Sequence, residues 1–418
     1  GDWSSDVCSS DLMKPYVDAL AEVGCTAFWW GKPWLDSIDV DKRAWMSRCQ
    51  PQTRDYKYAV TPKYGGEPAM RALTDYIHAK GMKDIAWVTG YGLTVFDPLY
   101  QAHPEAFVRL RRPVKRQATA DIPGHELMPD LDTNAGVDDE YVYTPFSGAT
   151  IGGDTTNPHW RKFWLHNQEY WAANGVDGIF FDSFNPMPPN YALRPWPGQI
   201  GEEIINLQRE ARRLARRVNP DFFSFTEGGG YRMATVNDFT HTWHGSTPPP
   251  LPPFRTRPLT PEEEARFLRD ELLSMIPGAR SWAGVANVEG DAARDVGHSV
   301  LPRVLFNMFS GRMPVLSMFN SGAQLEPIRN ECEYWAYFRP RPANDPAPTE
   351  KAHWEGVKRH WQLRMAHPEL KSGRLEFLAV STDDPAVFAF LRLKNRRSEE
   401  HTSELQSPCN LVCRLLLE

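Results

Sequence analysis

The sequence predicts an α/β chain of the (β/α)8 TIM-barrel type, and three observations carry that expectation. Short apolar strands alternate with amphipathic helices from about residue 23 to residue 318, which is the pattern of parallel βαβ units. Two successive predicted strands end in an acidic residue, Asp182 and Glu227, where barrels of this type hold their reactive groups. The long interruptions follow strands, the places where such barrels insert loops that shape a ligand site. With 418 residues, 41% hydrophobic and 12% aromatic, the chain can bury one barrel and a smaller appendage.

The first expected strand covers residues 23–30. A helix over 68–80, stopped by Gly81, leads to a strand at 84–88. Residues 105–155 hold no clear helix and read as an irregular insertion after the third barrel strand. Asn157-Pro158 then supplies a cap and a first-turn proline for a helix whose Trp160, Phe163, Trp164, Asn167 and Trp171 share one face. A strand follows at 178–182. Ile204, Leu207, Ala211, Leu214 and Val218 mark the next helix, before a strand at 222–226. Residues 246–258 form a proline-rich loop, and Thr260-Pro261-Glu262-Glu263 is a capping box that opens a helix to about residue 276. The last repeat runs over 300–309 and returns as a strand at 314–318. Beyond Pro348, a helix with Trp354, Val357 and Trp361 leads into β-strands at 379–380 and 387–390. The barrel is thus expected over 13–345, lacking its first strand, and a truncated C-terminal β domain over 346–396.

Both ends stand apart. Residues 1–12 and 397–418 resemble reading frames through sequencing-adapter DNA and are expected to be non-native. Much of the formal charge of −6 sits in those two segments. The remainder gives no electrostatic argument for a nucleic-acid partner, and no stretch reaches the roughly 20 apolar residues of a membrane-spanning helix. Three cysteines remain between the ends, Cys25, Cys49 and Cys332, without metal-type spacing. A disulfide scaffold is not indicated. The start of the gene is expected to be missing, which leaves a soluble protein, either cytoplasmic or secreted and of unassigned oligomeric state, as the expectation.

Asp182 and Glu227 suit glycoside cleavage. One carboxylate attacks the anomeric carbon while the other, kept protonated, donates to the leaving oxygen; a gap of about 5–5.5 Å gives retention. Glu227 is followed by Gly228-Gly229-Gly230, which lets a substrate approach closely. Asp291 is the candidate third carboxylate, with Arg294 nearby as a sugar contact or as its ion-pair partner. Trp30, Tyr91, Phe184, Trp243 and His244, at strand ends or in the following loops, are candidate sugar-stacking groups, as is Trp29. Trp87, Trp160, Trp164 and Trp171 are expected in the core, and His78 as a packed histidine. Arg209, Arg212, Arg213, Arg216 and Arg217 follow helical spacing and read as a solvated face. No cofactor is expected. Asp130, Asp132, Asn134, Asp138 and Asp139 offer calcium-type oxygens but miss the spacing of a calcium loop, so no metal is assigned to them.

The order of these parts resembles the α-amylase superfamily. Residues 18–29 resemble its second-strand segment, and residues 56–81 the approach to its third strand. Gly175-Val176-Asp177-Gly178-Ile179-Phe180-Phe181-Asp182 looks like its fourth-strand motif, which implies that Asp182 is the nucleophile. Glu227 is similar in place to the fifth-strand acid/base, and Asp291 with Arg294 resembles the seventh-strand motif. Residues 311–316 look like the eighth strand. The chain departs from the family where Phe180, Gly90-Tyr91 and Gly290 stand. The resemblance implies a retaining glycosidase acting on α-linked oligo- or polysaccharide, with carbohydrate as the partner. The departures leave a non-catalytic carbohydrate-binding barrel as an alternative. His103-Pro104-Glu105 with the Asp182 motif also looks like the α-galactosidase type of barrel, in which Asp238 is the candidate acid/base.

Overall fold

The computed structural model describes residues 13–31, 53–108, 143–182, 200–226, 233–241, 260–270, 281–285, 313–316, 359–367, 374–375, 383–393 and 411–416, with scattered positions inside these spans left out. Two compact units divide the chain, residues 1–240 with 325–342 and residues 241–324 with 343–418.

In chain order the first unit contains β1 (Ala27–Gly31), β2 (Thr53–Arg54), β3 (Lys57–Tyr58), α1 (Gly66–Ala79), β4 (Lys83–Thr89), β5 (Gly92–Thr94) and α2 (Pro98–Ala102). It continues with β6 (Tyr143–Thr144), β7 (Ser147–Gly152), α3 (Pro158–Ala173), β8 (Gly178–Asp182), α4 (Ile200–Val218), β9 (Phe223–Thr226) and β10 (Phe239–His241). Strands β1, β4, β8, β9 and β10 lie side by side in that order, and each neighbouring pair is parallel. Sequential parallel strands need crossovers, and α1, α3 and α4 supply them.

Each helix forms where its apolar stripe and its ends agree. In α3 the side chain of Asn157 accepts from the backbone N–H of His159, and Pro158 sits in the first turn. Trp160, Phe163, Trp164, Asn167 and Trp171 are all buried on it, as their spacing predicts. The helix stops at Gly175, whose φ of 85° is a left-handed position that glycine enters at little cost. In α4, Ile204, Ile205, Leu207, Ala211 and Ala215 are buried. Phe181 of β8 stacks on Trp164 of α3 at 5.1 Å between ring centroids, fixing that strand's helix-facing side.

The amino-terminal edge of the sheet is tied by charge. The Asp177 carboxylate accepts from His78 Nε2 at 2.7 Å, Lys83 Nζ at 2.8 Å and the backbone N–H of Asp84 at 2.9 Å. Burial works upward on this carboxyl, but those three hydrogen bonds outweigh it and hold the group below the usual carboxylate range. His78 is therefore more than a packed ring, because it joins α1 to the start of β8. Arginines of α4 likewise do more than face solvent. Arg212 and Arg216 both reach Asp238, and Arg216 Nε donates to the carbonyl of Phe222. The first strand also begins later than residue 23. Gly24 and Cys25 donate back to Ala21 and Leu20 in a turn that closes a preceding helical stretch, and pairing starts at Ala27.

Within the insertion β6 and β7 pair antiparallel, and β7 also pairs antiparallel with β5, which precedes the insertion in the chain. The two ends of the insertion lie together. Phe107 bridges Gly153, Val108 N donates to Gly152 O, and Asp154 N donates to Ala106 O. Gly153 packs so closely on Trp160 that a Cβ there would fall 2.0–2.3 Å from three indole atoms.

In the second unit β11 (Ser281–Val285) pairs in parallel with β12 (Met313–Leu316). Thr260 and Glu263 close the expected capping box, Glu263 N donating to Thr260 Oγ1 and Thr260 N to the Glu263 carboxylate. The strands β13 (Arg374–Leu375), β14 (Val387–Leu393) and β15 (Leu411–Leu416) form an antiparallel sheet. β15 falls within the adapter-like segment, where the apolar run Leu411-Val412-Cys413 has the composition to pair with an open strand edge. The strand expected at 379–380 lies outside the described residues. Among the described residues, no helix is long and apolar enough to cross a membrane.

Candidate functional site

Strand alternation sorts the residues that lead to the site. In β8, Ile179 and Phe181 share the helix side, so Gly178, Phe180 and position 182 share the other. On that second face the Phe180 ring lies 4.2 Å from Trp29 of β1 and 4.9 Å from Phe225 of β9, and Trp29 meets Phe225 edge-on at 5.5 Å. Three strands thus converge on one aromatic floor. Position 182 lies one step above it, at the carboxyl end of β8, where its backbone pairs with Thr89.

The register of β8 and β9 sets Phe180 opposite Phe225 and Phe181 opposite Thr226, the last described residue before the expected acid. Trp30 is described through its backbone, opposite Ala86. Glu227, Asp291, Arg294, Tyr91, Phe184, Trp243 and His244 lie outside the described residues, as do the calcium-type candidates Asp130, Asp132, Asn134, Asp138 and Asp139.

Asp238, the alternative acid/base candidate, is among the described residues. It precedes β10, at the amino-terminal end of the strand, and its carboxylate takes the backbone N–H of Ser224 at 3.0 Å together with the guanidinium groups of Arg212 and Arg216. Reactive groups of such sheets belong at the opposite ends of the strands. An ion-paired carboxylate at the amino-terminal edge fixes β9 against α4 instead.

The described residues also contain groupings that sequence reasoning missed. Beside α3, His103, Glu105 and His159 bring three metal-capable donor atoms within 4.8 Å of one another. The rings of His103 and His159 stack at 3.4 Å, and His103 Nδ1 lies 3.2 Å from Glu105 Oε1. Tyr56 shares a 2.9 Å hydrogen bond between its hydroxyl and His159 Nδ1. His103 and Glu105 are visible as a pair in the sequence, but His159 is far along the chain and only the fold unites them. Close by, buried Asp97 caps α2 through Leu99 N and takes both the N–H and the hydroxyl of Thr53. Burial pushes its carboxyl up to about 6, against the lowering effect of those hydrogen bonds.

No protein-family model and no curated protein sequence matches the chain. Solved structures do match. A noncanonic maltogenic α-amylase, AmyB from Thermotoga neapolitana, superposes over 97% of this chain and 81% of its own, with a TM-score of 0.61 and 16% identity. A debranching enzyme from Nostoc punctiforme covers 92% of this chain and 75% of its own, with a TM-score of 0.58 and 14% identity. A cyclomaltodextrinase covers 91% of this chain at a TM-score of 0.54 and 14% identity, and the present chain spans 60% of its length. The parallel α/β fold is the one these α-amylase superfamily structures share. At such low identity the likeness is one of fold, in a divergent sequence.

Proposed function

We propose that the protein is a retaining glycoside hydrolase acting on an α-linked oligo- or polysaccharide, built on a (β/α)8 barrel. Asp182 is the nucleophile, Glu227 the acid/base and Asp291 the stabiliser of the cationic transition state. Trp30, Tyr91, Phe184, Trp243, His244 and Arg294 are the candidate sugar contacts around them.

The observation that supports this reading is the β8–β9 register. Phe181 pairs with Thr226 where β8 and β9 run parallel, so Asp182 and Glu227 each follow those paired residues directly in the sequence. Neighbouring strands run about 4.7–4.9 Å apart, close to the roughly 5–5.5 Å between carboxyl groups that retention requires. Trp29, Phe180 and Phe225 form an aromatic cluster on the strands that lead to these acids, an apolar surrounding that would limit water at the site. An apolar floor also favours the protonated form of one carboxyl, as an acid catalyst needs.

The chemistry then follows in two displacements. The Asp182 carboxylate bonds to the anomeric carbon as the glycosidic C–O bond breaks, and the Glu227 proton passes to the leaving oxygen. Water, losing a proton to the Glu227 carboxylate, next attacks the same carbon and frees Asp182. Both starting protonation states are restored. The similar structures, a maltogenic α-amylase and a debranching enzyme, support an α-glucan as the substrate class.

A 2-deoxy-2-fluoroglycosyl fluoride of the α-gluco series tests the proposal. Peptide mapping should find one sugar per chain on Asp182. Absence of any label, with glucan binding retained, would assign the protein to the carbohydrate binders.

A further inference from the structure

We propose that His103, Glu105 and His159 form a binding site for one zinc-class divalent cation, which staples the neck of the insertion to the first turn of α3. Two imidazoles and a carboxylate are the donor set that suits zinc and its first-row neighbours, and it leaves a fourth position for water.

The geometry comes close to what such an ion needs. Metal–ligand bonds of about 2.0–2.1 Å in a tetrahedron put neighbouring donor atoms roughly 3.3–3.4 Å apart. His103 Nδ1 and Glu105 Oε1 are already 3.2 Å apart, and all three donors fit within 4.8 Å. The imidazoles stack face to face with 16° between their planes, so at least one ring must turn out of the stack before both in-plane lone pairs meet at one ion.

The outer partners suit the same role. A metal-bound histidine ordinarily engages its second nitrogen in a hydrogen bond that fixes the ring. Tyr56 does this for His159, engaging Nδ1 at 2.9 Å and leaving Nε2 for the ion. Tyr56 is held for the purpose in a two-residue hairpin turn at a φ of 62°, a left-handed value uncommon for a bulky residue. Glu105 is fixed through its carbonyl, which accepts from Asn157 Nδ2. Its carboxylate also offsets the positive pole that the amino terminus of α3 presents to a cation.

Three separate segments therefore meet at the site. They are the β2–β3 hairpin, the turn after α2, and the start of α3, on either side of the Phe107–Gly153 bridge. A bound ion would tie them together independently of any sugar chemistry, so the glycosidase reading and this one can fail separately.

The test uses the full chain, stripped with a chelator and titrated with Zn2+ by calorimetry, with Co2+ absorption as a second probe. We expect one saturable equivalent, a visible Co2+ spectrum of the tetrahedral type and a higher unfolding temperature with Zn2+. Tyr56→Phe should weaken binding by about 10–100-fold while keeping one equivalent. The double variant His103→Ala/His159→Ala should lose the equivalent, with circular dichroism confirming that it folds. Glu105→Gln, at an exposed position, serves if it does not, and should weaken Zn2+ by at least tenfold. Zn2+ uptake that is absent, or unchanged in the variants that fold, overturns the proposal.

Discussion

Replacing Gly153 by alanine examines how tightly the neck of the insertion is set against α3. A Cβ at this position would stand 2.0, 2.1 and 2.3 Å from Cε2, Cδ2 and Cζ2 of Trp160, where carbon atoms prefer about 3.5–4.0 Å. The indole would have to retreat by roughly 1.5 Å. It has no room to do so, because Trp160 is 2% exposed and packs on Phe107 and Phe163 with ring centroids at 5.6 and 5.2 Å. Overpacking of this kind costs about 1–3 kcal/mol, and three simultaneous overlaps point to about 3 kcal/mol. Urea unfolding followed by far-ultraviolet circular dichroism should show that loss as a lower midpoint with an unchanged slope. In a Trp160→Leu background the added methyl group has space, so most of the penalty should vanish there. A Gly153→Ala protein within about 0.5 kcal/mol of the parent, or one equally destabilised in both backgrounds, would refute the packing argument.

Further outcomes follow from the proposed catalytic pair and from residues whose contacts are described. Asp182→Asn should abolish turnover of an α-glucan with the fold intact, and Glu227→Gln should lower kcat by about 10²–10⁴-fold; full activity in either would end the catalytic assignment. Asp238→Asn should cost about 1–3 kcal/mol by stranding Arg212 and Arg216, yet leave kcat within about threefold. A collapse of kcat in a folded Asp238→Asn protein would restore the α-galactosidase-type alternative. Asp97 sets a pH dependence of definite sign. Its folded carboxyl titrates at about 6, above the ordinary aspartate value, so the folded state holds that proton more tightly and its stability falls as pH rises from about 4 to 6. The gap of about two pKa units corresponds to roughly 3 kcal/mol, and Asp97→Asn should flatten this part of the profile. An unaltered slope would show that another group is responsible.

What the sequence made legible were the features that depend on neighbours along the chain. The cap at Asn157, the buried stripe from Trp160 to Trp171, the strand ending at Asp182 and the capping box at Thr260 all rest on local rules, and each is found as expected. The start of β1 was misread because Val23 is apolar and adjoins the strand, whereas backbone hydrogen bonds around Gly24 and Cys25 spend those residues on a turn. Asp238 is a candidate acid only through the α-galactosidase-type resemblance, which expects the acid on the sixth strand. Its distance from the carboxyl end of β10 and its two arginine partners are tertiary facts. His159 joins His103 only because the insertion folds back before α3 begins, and no spacing rule announces that.

The closed neck between Phe107 and Gly153 has a consequence for how such a protein can change. Because the two ends of the insertion are clasped side by side, its interior can be lengthened, shortened or traded for another segment with little strain on the flanking strands, and the entropy of closing a longer loop rises slowly. A different segment can therefore be accepted at this single detachable piece, with the parallel sheet serving as an unaltered chassis.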